Sequence, residues 1–112
     1  MTGDTGESRR KVVVTMVEFT AEEGNVVCAF SGKLDTVVCM KFEKDILEQV
    51  RASTGTVTFD LAEVNFIASM FLRLCIQVCK DAGANRFEIV HANDAVLKVF
   101  KLAGFDKQMR IS

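Results

Sequence analysis

A chain of 112 residues with a formal net charge of −1 has room for one domain with a sizeable core, and not for two. Apolar residues make up 49% and charged residues 26%, which excludes a disordered chain; the near-neutral balance excludes the electrostatic footprint of a nucleic-acid binder. The one basic cluster, Arg9-Arg10-Lys11, stands before the first apolar run and reads as a solvated strand entry.

Residues 1–10 read as a flexible tail and 11–112 as a single domain. Lys11 to Phe19 is rich in β-branched residues and predicts a strand. Ala21 to Asn25 predicts a turn, and Val26 to Ser31 a second strand ended by Gly32, so the chain opens with a hairpin. Asp35 or Thr36 then caps a helix to about Ala52, with Cys39, Phe42, Ile46 and Val50 at helical spacing on its apolar side. Thr56 to Leu61 predicts a short strand, followed by a loop from Ala62 to Ala68. Met70 to Ala82 is apolar nearly all round, with a polar stripe of Arg73, Gln77 and Lys80-Asp81, and Gly83 closes it. Arg86 to Val90 alternates as a strand. Asn93 or Asp94 caps a last helix to Ala103, and the tail from Phe105 adds a short strand or turn. The order β-β-α-β-α-β-α requires crossover helices, hence an α/β fold with a mixed, largely parallel sheet.

No apolar run approaches the ~20 residues of a bilayer span. The polar, acidic stretch Met1–Ser8 lacks the apolar segment of a secretory leader. Four cysteines, Cys28, Cys39, Cys75 and Cys79, are then expected as free thiols in a cytoplasmic protein.

Most of the chemical information lies at one junction. Ser69 directly precedes the most apolar helix, where its hydroxyl is placed as an N-cap. A phosphate at a helix start meets unpaired N–H groups and the positive end of the dipole, so the fold can carry it while a docking protein feels the new charge. Gly32-Lys33-Leu34-Asp35, Thr58-Phe59-Asp60-Leu61, Val64-Asn-Phe-Ile-Ala-Ser-Met-Phe-Leu-Arg-Leu74 and Ala103-Gly104-Phe105 resemble, in order, the signature segments of the STAS family. The likeness runs from about Lys11 to Ile111 and is to the bacterial anti-sigma factor antagonists. It implies a SpoIIAA-like mixed sheet with an N-terminal hairpin and three to four packed helices.

The resemblance also implies a mechanism. Ser69 would be the phosphoacceptor of a partner anti-sigma factor that is also a GHKL-type serine kinase, and a PP2C-type phosphatase would reverse the modification. The unphosphorylated form would bind the anti-sigma factor. Lys33 and Asp35 would flank Ser69, and Asn65, Ala68, Met70 and Arg73 would line the docking surface. The antagonists' pattern around the switch is typically Asp-Ser-Ser-Gly-Leu, where this chain has Ala68-Ser69-Met70-Phe71-Leu72.

Other readings compete. A STAS scaffold subunit, as in stressosome-like or lipid-transport assemblies, would bind its partner constitutively. An enzyme would need Asp35, Asp60 and His91 to converge in a pocket; without a second motif, turn and cap roles are expected and no catalysis. Cys75 and Cys79, one helical turn apart, could serve a metal or redox sensor. Neither Cys28, Cys39 nor His91 completes a finger spacing, so core thiols and no metal or cofactor are expected. Whether the domain pairs weakly with a second copy is left open by the sequence.

Overall fold

The computed structural model describes residues 10–14 and 16–112. The tail expected over residues 1–10 falls outside them, apart from Arg10. In chain order the elements are β1 (Arg10–Val14), β2 (Val17–Glu22), β3 (Asn25–Leu34), α1 (Thr36–Ala52), β4 (Val57–Ile67), α2 (Ser69–Ala82), β5 (Phe87–Val90), α3 (Asp94–Leu102), a 3₁₀ turn (Phe105–Lys107) and β6 (Arg110–Ile111). The strands form one six-stranded sheet in sequence order, antiparallel from β1 to β3 and parallel from β3 to β6. The α/β class, the mixed sheet and the three main helices are therefore those the sequence predicts.

The opening differs. The strand expected from Lys11 to Phe19 is two strands, because the chain reverses before Val17 with Met16 at φ 63°. The hairpin becomes a three-stranded meander. Its second turn, Glu23-Gly24, has positive φ at both residues, 54° and 86°, which matches the twist of the flanking strands. Gly32 does not end β3. It sits within the strand at φ 81°, and a Cβ there would lie 2.7 Å from the Met16 terminal methyl. Glycine is thus required by conformation and by space.

Parallel neighbours joined in sequence order by right-handed crossovers place their helices on one face. The burial pattern agrees. Val26, Cys28 and Phe30 of β3 and Val57, Phe59 and Leu61 of β4 are buried, while the residues between them are exposed or half-buried. The core is aromatic at its centre: Phe30 meets Phe42, Phe59 and Phe71 edge-on at centroid distances of 5.4, 4.9 and 5.1 Å, and Phe59 meets Phe87 at 4.9 Å.

Helix starts follow the caps. Asp35 accepts from Val38 N–H at 2.9 Å, and Asn93 from Val96 N–H at 2.9 Å. Asn93 also donates to the Val64 carbonyl at 3.1 Å, tying α3 to β4 where β5 has already ended. Asn93→Ala removes the cap and strands that carbonyl. A loss of about 1–3 kcal/mol in denaturant unfolding is expected, against about 1 for a cap alone.

The largest departure is in β4. The loop expected from Ala62 to Ala68 is strand as far as Ile67. Its register against β3 runs Ala29↔Asp60, Ser31↔Glu63, Gly32↔Val64 and Lys33↔Phe66, so an extra β4 residue is inserted before Glu63 and again at Asn65. These are β-bulges. Each adds a residue without advancing the ladder, so the buried positions pass from Val57, Phe59 and Leu61 to Val64 and Ile67. Spacing by two becomes spacing by three, and the strand loses its alternating signature.

Candidate functional site

The two bulges carry β4 to the end of β3, where Leu34 lies opposite Ile67 and Ala68 N–H donates to the Leu34 carbonyl at 2.9 Å. α1 and α2 therefore begin side by side at the C-terminal ends of adjacent parallel strands. That pole gathers the residues singled out in the sequence. Lys33 and Asn65 are exposed on the strand ends, Asp35 is exposed as the cap of α1, and Ala68 and Met70 are half-buried around exposed Ser69. Arg73 follows one turn along the exposed side of α2.

Ser69 is not the N-cap. Ala68 holds that place with an extended backbone (φ −93°, ψ 166°) and no capping side chain, and Ser69 is the first helical residue. The backbone hydrogen bond from Ala68 to Leu34 fixes the entry into the helix one residue earlier than a hydroxyl cap would. Phe71 and Leu72 N–H both turn to the Ala68 carbonyl, at 2.9 and 3.4 Å. The Ser69 and Met70 N–H groups meet no acceptor among the described residues. The Ser69 hydroxyl thus stands in solvent beside two free donors.

Three further exposed residues at this pole have no forewarning in the sequence. Phe66 is 47% exposed, Val37 62% and Met40 65%, all large and apolar. Phe66 pairs with Lys33 in register, and Val37 and Met40 occupy the first turns of α1. With half-buried Met70 they give the pole that carries Ser69 an apolar collar, of the kind that marks docking surfaces. The available signal was negative: Phe66 lies off the Leu61, Val64, Ile67 spacing, and Val37 and Met40 off the Cys39, Phe42, Ile46 face. Met70 contributes to the collar, whereas Phe71 is wholly core.

Below the collar, α1 and α2 leave a cleft of about 300 Å³ lined by Glu43, Leu47, Arg51, Met70, Arg73 and Gln77. Its far end is closed by an Arg51–Asp81 ion pair at 3.3 Å.

The rival constellations separate. His91 Nδ1 meets Asp60 Oδ1 at 3.0 Å, with His91 at φ 63° and Asp60 also accepting from Ala62 N–H at 3.0 Å. Asp35, however, caps α1 at the level of Ile67, which lies five ladder steps beyond Asp60 once the two bulge residues are set aside, or about 16 Å at 3.3 Å per step. The three do not converge. The His–Asp contact fastens the first bulge to the turn after β5.

Cys28, Cys39 and Cys75 are fully buried, Cys79 is half-buried, and among the described residues no cluster of three metal-ligating side chains occurs. Burial, with Asp35 and Glu43 adding to it, pushes the Cys39 thiol up to about 11, and burial raises Cys28 and Cys75 as well. Ellman titration of the native protein at pH 8 is expected to modify Cys79 alone, the other three reacting only after unfolding. Because the raised values favour the neutral thiols, their stabilising effect is complete below pH 9 and lost as pH climbs through about 11 for Cys39.

Comparison with known proteins decides the family. A family model described as the STAS domain matches residues 16–112. The chain belongs to the STAS family. A search of curated protein sequences gives no match. Among solved structures, an anti-sigma-factor antagonist (STAS) domain protein from Planctomyces limnophilus superposes with a TM-score of 0.77 at 18% identity, covering 85% of this chain and 87% of that one. An anti-sigma factor antagonist from Mycobacterium paratuberculosis gives 0.75 at 24%, covering 93% and 85%. Unphosphorylated SpoIIAA gives 0.68 at 19%, covering 93% and 87%. These likenesses establish a shared fold over nearly the whole STAS domain.

Proposed function

We propose that this STAS domain is a protein-docking switch of the anti-sigma factor antagonist kind, with Ser69 as its phosphoacceptor. The observation that carries the reading is the position of Ser69. Its hydroxyl is exposed and not engaged as a cap, at the pole that also exposes Val37, Met40 and Phe66 and half-exposes Met70. Lys33, Asp35, Asn65 and Arg73 supply the polar rim. Two of the folds it superposes on are SpoIIAA in its unphosphorylated and phosphorylated forms, which supports a fold that carries the modification.

In this reading the partner is an anti-sigma factor that is also a GHKL-type serine kinase. The Ser69 oxygen attacks the terminal phosphorus of the kinase-bound ATP. A phosphorus–oxygen bond forms to Ser69, the bond to ADP breaks, and the hydroxyl proton passes to a base on the kinase. The phosphate adds a charge of about −1.5 to −2 at the centre of the contact, so docking would bury a charge among apolar groups. The complex weakens. A PP2C-type phosphatase hydrolyses the ester and restores the hydroxyl. No helix of the described residues is long and apolar enough to cross a membrane, and the domain is read as a non-catalytic cytoplasmic regulator.

The test is incubation with ATP and each GHKL-type kinase encoded in the same genome, followed by mass mapping. Stoichiometric phosphate on Ser69 supports the reading. A stoichiometric label elsewhere with none on Ser69 overturns the mechanism and leaves the fold untouched.

A further inference from the structure

Along the α1–α2 cleft the charges repeat. Arg51 and Asp81 close into an ion pair at 3.3 Å. Eight residues earlier on each helix stand Glu43 and Arg73, at the same relative level and with the signs exchanged, and both line the cleft. This second pair is not closed: among the described residues Arg73 has no carboxylate within ion-pairing distance. Arg73 also follows Ser69 by four residues on the exposed side of α2. At that spacing side chains are neighbours, with Cβ atoms about 5–6 Å apart. A long guanidinium stem reaches either the cleft or the Ser69 oxygen from one backbone position.

We propose that Arg73 is the internal counter-ion of a phosphate on Ser69, drawn out of the α1–α2 cleft by the modification. The inference rests on Ser69 as the modified residue and adds how its charge is read. A phosphate offers up to two charges and three acceptor oxygens against the single carboxylate of Glu43, and guanidinium binds it through two parallel hydrogen bonds. Modification then changes the docking surface twice, adding negative charge at its centre and withdrawing the free cation at its rim. A partner carboxylate that had used Arg73 loses its mate at the moment it acquires a repulsive neighbour. Lys33, beside Phe66 on the strand ends, is a cation of β3 at this pole and serves as the first control. Lys41 and Lys44 of α1 are exposed and have no carboxylate within ion-pairing distance among the described residues; Lys44 borders a recess with Glu43, Leu47 and Arg51 that Arg73 does not line, so Lys44→Gln is a further control.

The experiment needs neither kinase nor partner, so its failure is distinct from theirs. Phosphoserine is installed at position 69 by genetic-code expansion, and the second ionisation of the phosphate is followed by ³¹P NMR against pH. The expected midpoint lies about half a unit below the ordinary value near 6. Arg73→Gln returns it most of the way, Arg73→Lys keeps a shift of the same sign, and Lys33→Gln and Lys44→Gln leave it in place. The free N–H groups of the helix start are common to all variants, so the Arg73→Gln difference reads the guanidinium alone. A midpoint that Arg73→Gln does not move, or one that moves with Lys33→Gln or Lys44→Gln instead, overturns the proposal.

Discussion

Phe71→Gly, which would restore the residue typical of the antagonists at this position, is expected to destabilise the domain by about 4–6 kcal/mol. Phe71 is fully buried, edge-on to Phe30 at 5.1 Å and tilted against Phe59 at 5.9 Å. Removing a buried Phe side chain costs about 3–5 kcal/mol in lost transfer energy and cavity, and glycine in a helix adds up to about 1. Natural domains hold only about 5–15 kcal/mol in all, so the variant sits near the unfolding threshold at 25 °C. Urea melts followed by circular dichroism measure this directly. A loss below about 1.5 kcal/mol would mean that α2 is not pinned to the sheet by this ring. Phe71→Leu, which keeps most of the volume, serves as the milder comparison.

Ser69→Glu is expected to move stability and binding in opposite directions. A carboxylate at the first position of α2 faces the free Ser69 and Met70 N–H groups and the positive end of the dipole, which stabilises a helix by about 0.3–1 kcal/mol. The midpoint of unfolding is thus unchanged or slightly raised. The same carboxylate stands at the pole that carries the apolar collar, where docking strips its water. Placing an unpaired charge in an interface costs about 2–4 kcal/mol, roughly a 30- to 1,000-fold rise in Kd. Ser69→Ala keeps the surface neutral and stays within about threefold of wild type. Titration calorimetry against whichever GHKL-type kinase phosphorylates the domain separates these outcomes. Equal affinity of the Glu variant and wild type would favour the constitutive scaffold reading and remove the switch.

What the sequence revealed follows the physics of each element. α1 and α3 were legible to within a residue or two because Asp35 and Asn93 cap them and their buried positions keep helical spacing. β1 and β2 merged because the reversal before Val17 carries no Gly, Pro or Asn; Met16 takes positive φ under tertiary constraint. The second half of β4 read as loop because its bulges hide the alternation. The same bulges displaced the helix start, so that Ala68 caps where Ser69 was expected to. The likeness to the STAS family singled out Lys33, Asp35, Asn65, Ala68, Ser69, Met70 and Arg73, and the adjacency of β3 and β4 brings them to one pole. It did not recover Val37, Met40 and Phe66, whose exposure depends on what fails to cover them. No local pattern encodes that.

The paired bulges of β4 also have a bearing on how this surface can change. Each stores one residue of contour that contributes nothing to the ladder. Deleting Asn65 alone would therefore leave Phe66 opposite Lys33 and Ile67 opposite Leu34, and restore strict alternation from Val64 onward without moving the start of α2. The bulges are slack in the strand that leads to the switch residue. The length of β4 can change by a residue there while Ser69 keeps its place and the aromatic core is left as it stands.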